Sequence, residues 1–177
     1  LARVVDDEHL RDFWRDEVVI NDRPCPGIPT LLEDLPGTLL RFEAIHDGPL
    51  AIIHGDFCGS NILFDRRNGI VRLIDPRGCF GGIPSFGDPL YDLAKLSHSI
   101  LGGYDLLVAG QFRLDTRLPK DMRLDLNWRP QHKAIQEAFC EHLEQWSEAQ
   151  SARVRLVESM LFLSMVPLHS DRPESQR

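Results

Sequence analysis

The chain has 177 residues, with 20 Lys+Arg against 27 Asp+Glu for a formal net charge of −7, and 42% of it is hydrophobic. That balance fits a globular domain able to bury a core without disulfide or metal staples, and it excludes the basic stripe that grips nucleic acid. No run approaches the ~20 apolar residues of a bilayer span, and the start lacks the flanks of a signal peptide, so no membrane partner is expected. Cys25, Cys58, Cys79 and Cys140 form no C-x-x-C pair, which favours reduced thiols and a cytoplasmic setting. The first residue is Leu1, not Met, which suggests a piece of a longer protein.

In chain order, Leu10, Phe13 and Trp14 recur at helical separation and predict a short amphipathic helix from Leu1 to about Val19. Asn21 to Pro29 holds three prolines and a glycine and reads as a connector. Thr30 can then cap a second helix with Leu31, Leu32, Leu35, Leu39 and Leu40 as its stripe, shortened or bent by Pro36-Gly37. Short apolar runs at 50–53, 62–64 and 70–74 read as strands, and the Asn68-Gly69 pair predicts a hairpin between the second and third. After Pro89, Leu90, Leu93, Ala94, Leu96 and Leu101 repeat at helical spacing until Gly102-Gly103 stops them. The stretch 106–126 reads as either a second hairpin or an irregular excursion. Two helices follow, one marked by Ile135, Phe139, Leu143 and Trp146, the other by Val154, Val157, Leu161 and Met165.

Chemistry concentrates in His54-Gly-Asp-Phe-Cys-Gly-Ser-Asn61, directly after a strand, and in Ile70-Val-Arg-Leu-Ile-Asp75 at the end of the next hairpin arm. Asp56, Asn61 and Asp75 should therefore leave neighbouring strand ends on one side. Phosphoryl transfer asks for a carboxylate beside the attacking hydroxyl and oxygen ligands that hold magnesium on the nucleotide phosphates. Asp56 suits the first task, and Asn61 and Asp75 suit the second. Each residue type is also common in ordinary turns, and it is the joint spacing that favours the metal-phosphate reading.

With these motifs the chain resembles the aminoglycoside phosphotransferase and choline kinase-like group of protein-kinase-like small-molecule kinases. The resemblance is carried by 54–65, by Leu73-Ile-Asp-Pro-Arg-Gly78 and by Gly87-Asp-Pro-Leu-Tyr-Asp-Leu-Ala94. It implies ATP and Mg2+ as cofactors, Asp56 as catalytic base, His54 as a brace of the loop, and Asn61 and Asp75 as magnesium ligands. Asp88 is implied as an acceptor for catalytic-loop amides, and Asp92 as serving either the helix start or the substrate pocket. Arg77 either touches phosphate or pairs with a nearby carboxylate. The strings at 74–78, 95–99 and 162–169 resemble a branch associated with capsular polysaccharide biosynthesis.

One departure stands out. The family grips nucleotide phosphates with a strand lysine and a glycine-bearing loop ahead of the catalytic loop, yet Lys95, Lys120 and Lys133 all come after it. The expectation is thus a single domain over 1–177, α+β and mainly helical: the carboxyl-terminal lobe of a protein-kinase-like fold, with a small β-hairpin carrying the catalytic loop. Its catalytic loop is 54–61, its metal-binding motif 73–78 and its helix-opening motif 87–94, with the amino-terminal nucleotide lobe absent. Its partner is a small-molecule hydroxyl acceptor, and the face left bare is expected to be apolar and to permit self-association. Gly78-Cys-Phe-Gly-Gly82 precedes Ile83-Pro84 instead of a helix, so it reads as a loop and not as a dinucleotide turn. Cys58 lacks a base for nucleophilic work, His98 and His169 read as packed or capping residues before substrate contacts, and Trp14, Trp128 and Trp146 as core or groove walls. Two rival functions remain: a pseudokinase-like binding module, and a metal-dependent phosphoester hydrolase using His54, Asp56 and Asp75 as ligands.

Overall fold

The computed structural model describes residues 16–43, 49–80, 83–118 and 120–165. Its contacts divide the chain into two compact units. One unit combines Asp47–Asp105 with Trp128–Phe162, and the other takes its described residues from 16–43, 106–118, 120–127 and 163–165.

In the second of these, strands β1 (Val18–Ile20) and β2 (Arg23–Cys25) form a hairpin, so the stretch from Asn21 that reads as a connector holds a turn and a strand. The turn residues Asn21 and Asp22 have φ of 51° and 63°, the doubly left-handed geometry of a tight two-residue hairpin. Pro24 is tolerated because β2 lies at the edge of its four-stranded sheet, with β1 as its single neighbour, where no partner needs its missing N–H. The helix predicted to reach Val19 therefore fails at its end, and its first 15 residues lie outside those described. Strands β9 (Phe112–Leu118) and β10 (Asp121–Leu126) pair antiparallel, and β10 runs parallel to β1 through Val19↔Asp121 and Ile20↔Met122. The ambiguous 106–126 stretch is thus mostly a hairpin, and its second strand pairs with β1. Helix α1 (Ile28–Glu43) begins before Thr30 and continues through Pro36, and the Thr38 hydroxyl donates to the Asp34 carbonyl within it.

The other unit holds the motif block. Strand β3 (Ala51–Ile52) pairs with β8 (Phe86–Gly87), and β4 (Ile62–Asp65) pairs with β5 (Ile70–Leu73). The Asp65 carboxylate organises the β4–β5 turn by accepting from the Arg67 and Asn68 amides and from the Asn68 side chain. Strands β6 (Cys79–Phe80) and β7 (Ile83–Pro84) make a further short pair after Asp75. Helix α2 (Pro89–Ile100) starts with Pro89 in its first turn and Asp88 as N-cap, whose side chain accepts from the Leu90 amide. Behind it, Leu90 and Ala94 pack with Val154 and Leu161 of α5 (Glu148–Met165), while Tyr91, Leu93, Trp146 and Val157 border the cluster. A short α3 (Tyr104–Val108) and α4 (Pro130–Leu143) complete the five helices among the described residues; Phe139 of α4 is buried, while Ile135 faces solvent. At the end of α2 the Gly102 position admits no side chain, because a Cβ there would lie 2.6 Å from the Phe162 ring.

Candidate functional site

The segment 53–61 turns sharply after β3, with Gly55 at φ 76° and a would-be Cβ only 2.9 Å from the Arg77 Cβ. Glycine is required on both counts. The close approach belongs to a backbone link: the Arg77 amide donates to the His54 carbonyl at 2.8 Å, and the Ile74 amide donates to the Asn61 carbonyl at 3.0 Å. These two bonds straddle Asp75 and bring the main chain at 54–56, at 61 and at 74–77 side by side. Asp75 itself has a left-handed φ of 57°, and its side chain is exposed.

Asp56 is the focus of the loop. Its Oδ1 lies 2.8 Å from the Lys95 ammonium, and its Oδ2 and main-chain oxygen accept from the Asn61 amide nitrogen at 3.3 and 2.9 Å. Burial alone would push the Asp56 carboxyl up, but the hydrogen bond and charge of Lys95, the charge of Arg77 and the Asn61 amide together hold it below its ordinary value. Asn61 spends its nitrogen on Asp56, which leaves its amide oxygen available.

Helix α2 anchors the loop at three heights. Asp92 accepts from the His54 and Gly55 amides at 2.7 and 2.9 Å, Lys95 takes the Asp56 carboxylate, and the Ser99 hydroxyl accepts from the Gly59 amide at 2.9 Å. Ser99 in turn donates to the Asp105 carboxylate. Residues 92, 95 and 99 share one helix face because they fall at i, i+3 and i+7. The expected acceptor of the loop amides, Asp88, is corrected by this arrangement: Asp92 does that work, while Asp88 caps the helix and pairs with Arg153 at 2.6 Å. The exchange follows from position, since an N-cap carboxylate is committed to the helix's own first amides, whereas one a turn later projects sideways.

His54 is the residue that the resemblance implies as a brace of the loop. Its main chain links Asp92 to Arg77, but both ring nitrogens are buried without a hydrogen-bond partner and the ring lies 5.9 Å from that of Phe57. Arg77 is exposed, faces Asp56 closely enough to lower its carboxyl, and reaches the Tyr91 hydroxyl at 3.5 Å. His98 is fully buried between the rings of Tyr104 and Phe162, at 4.4 and 4.1 Å. Burial first, then the nearby Lys95 charge, lowers its imidazole to about 4, so it is a neutral packing residue. Cys25, Cys58 and Cys140 are free thiols, and His169 and Trp14 lie outside the described residues. Lys95, Ser99 and Asp105 escaped the sequence reading; the available signal was the polar stripe at three- and four-residue spacing within an otherwise apolar helix.

No group of three His, Cys, Asp or Glu side chains suited to a metal occurs among the described residues. The donors present still fit magnesium, which takes few protein oxygens and completes its shell with water and substrate phosphates. The spare Asn61 oxygen and the exposed Asp75 carboxylate, set on adjoining main-chain segments, are such donors.

The sequence model of the phosphotransferase enzyme family (APH) matches residues 3–123, which include the whole of this loop and its anchoring helix. The chain belongs to that family. No curated protein and no solved structure matches it. Phosphotransfer is the general chemistry of APH members, and the mixed α/β fold with small sheets is consistent with a kinase-like domain. No helix among the described residues is long and apolar enough to cross a membrane.

Proposed function

We propose that the protein transfers the terminal phosphoryl group of ATP, with Mg2+, to a hydroxyl of a small molecule. The observation that carries this reading is the Asp56 carboxylate, held between Lys95 and Asn61 beside the segment bearing Asp75. Asp56 is about one-third exposed at its side chain, and a carboxylate has lone pairs beyond those used by Lys95 and Asn61, so an acceptor hydroxyl can donate to it. A carboxyl held ionised is a weak base in the ground state, which suits a loose transition state in which orientation of the hydroxyl matters more than early proton removal. Asn61 and Asp75 would hold the magnesium ion, which supplies charge neutralisation on the nucleotide phosphates. Arg77, exposed at the same rim, is assigned to a phosphate oxygen. The acceptor is read as an aminoglycoside, choline or sugar type of alcohol, and the motif strings at 74–78, 95–99 and 162–169 favour a sugar of the capsular polysaccharide kind. The free thiols favour a reducing, cytoplasmic setting.

The hydrolase alternative is disfavoured because Asp56 already faces an ammonium, which repels a second cation, and the His54 nitrogens are buried. The test is ADP formation by the full gene product with magnesium and panels of aminoglycosides, choline and sugars. Turnover stimulated by one acceptor class, and reduced about 10²–10⁴-fold by Asp56→Asn, supports the proposal. Phosphoester hydrolysis without nucleotide, or nucleotide binding without turnover on any acceptor, overturns it.

A further inference from the structure

Asn61 ends a single 3-10 turn over Gly59–Asn61. The amides of Asn61 and Ile62 are met by the Cys58 and Gly59 carbonyls, whereas the opening amide, of Gly59, needs an acceptor from elsewhere. Cys58, at the N-cap, makes no side-chain cap bond, so the start of the turn has no local side-chain anchor. The Ser99 hydroxyl of α2 supplies one at 2.9 Å. Ser99 is 7% exposed while Gly59 lies in solvent, so this bond fastens an outer turn to the packed side of the helix.

A hydroxyl can turn to donate or to accept, and a serine inside a helix ordinarily gives its proton to the carbonyl one turn back. Here the Asp105 carboxylate, in the first turn of α3, takes the Ser99 proton and leaves the hydroxyl lone pairs to face the Gly59 amide. Glycine at 59 is what lets the three groups meet, since a Cβ there would lie 3.0 Å from Asp105 Oδ2 and 3.2 Å from Ser99 Oγ. Asp92 and Lys95 act on residues 54–56, and Ser99 acts on the turn that carries Asn61.

We propose that Asp105 and Ser99 are a pair of positioning residues for phosphoryl transfer: Asp105 fixes the Ser99 hydroxyl, Ser99 holds the Gly59 amide, and the turn so held sets the place of the Asn61 amide oxygen. The inference rests on the metal-binding role assigned to Asn61 above and deepens it.

The test uses the full gene product as wild type, Ser99→Ala, Asp105→Ala and the double variant. Amide hydrogen exchange at Gly59 in the ligand-free protein, followed by NMR, reports the bond itself. Because Gly59 is exposed, its amide should exchange about 2–10-fold faster once the acceptor is lost or free to rotate. Mn2+ binding in the presence of ADP, read by electron paramagnetic resonance, reports Asn61, and the affinity should fall about 2–10-fold in each single variant. Asp105 acts through Ser99, so the double variant should match Ser99→Ala in both readouts. ADP binding without metal should not move. Wild-type exchange or wild-type Mn2+ affinity in Ser99→Ala overturns the inference, and so do additive losses in the double variant, which would make the two residues independent. An equal loss of metal-free ADP binding also overturns it, because the pair would then serve folding alone. Should Ser99→Ala fail to fold, Asp105→Ala decides, since it keeps the hydroxyl and frees its rotation; wild-type exchange and affinity there remove the premise. Absence of Mn2+ binding with ADP in the wild type sinks the kinase reading and this inference with it, whereas wild-type binding that the variants leave intact sinks this inference alone.

Discussion

The two limbs that meet at the candidate site are built on opposite principles. On one side, residues 54–59 are tied to α2 by Asp92, Lys95 and Ser99, each bond made by a side chain at least half withdrawn from solvent. On the other, the β4–β5 hairpin leading to Asp75 has exposed side chains at Leu63, Phe64, Ile70, Val71, Leu73 and Ile74, with Phe64 at 61%. The first limb is specified by polar contacts to a helix, the second by backbone pairing and one organised turn. Positional precision should accordingly reside in Asp56, and Asp75 should follow its own strand end.

The largest effect that would break this contrast is expected at Asp92. Asp92→Ala leaves the His54 and Gly55 amides without acceptors, each costing about 1–3 kcal/mol, so denaturant unfolding should show a loss of about 2–6 kcal/mol together with loss of turnover. A loss under about 0.5 kcal/mol would mean that water replaces the carboxylate freely and the anchored limb is not special. A subtler effect is expected from His98, buried under that limb. The unfolded chain takes up a proton near 6.5 while the folded one resists until about 4. Between those values the unfolded state binds more protons, so stability is lost as pH falls, by about 1.4 kcal/mol per unit from this group. His98→Leu should flatten that slope in unfolding curves run across the same window; an unchanged slope would show that His98 protonates in place. The smallest effect belongs to the hairpin. Phe64→Ser should alter stability by less than about 0.5 kcal/mol, because its ring is already wet. Asp75→Asn should likewise spare stability but abolish magnesium-dependent turnover. A large stability loss in either would mean that the hairpin is packed and the contrast false.

What could be read from the sequence divides along the same line. The apolar period of α2 and the Asn68-Gly69 turn are local signals, and both correspond to elements observed. Arg23-Pro-Cys25 was misread because proline excludes a central strand but not an edge one, and edge status depends on β10, about a hundred residues away. At the site, Asp56 and Asn61 stand close in sequence and their hydrogen bond spans a single loop. Lys95 was passed over because a lysine on a helix is ordinarily a solvated residue, and only the folded chain reveals what it faces. Asp88 and Asp92 lie on one helix start, and their tasks were exchanged since spacing alone does not say which carboxylate is spent on capping.

The Gly102 contact with Phe162 has a further bearing on how such a protein can diversify. With one end of α2 wedged against an aromatic ring and its loop-facing stripe fully engaged, the helix has no rotational slack with which to trial new contacts. Drift toward a different acceptor would have to be explored by side chains that owe nothing to this helix, leaving the phosphotransfer apparatus as a fixed chassis beneath a changeable rim.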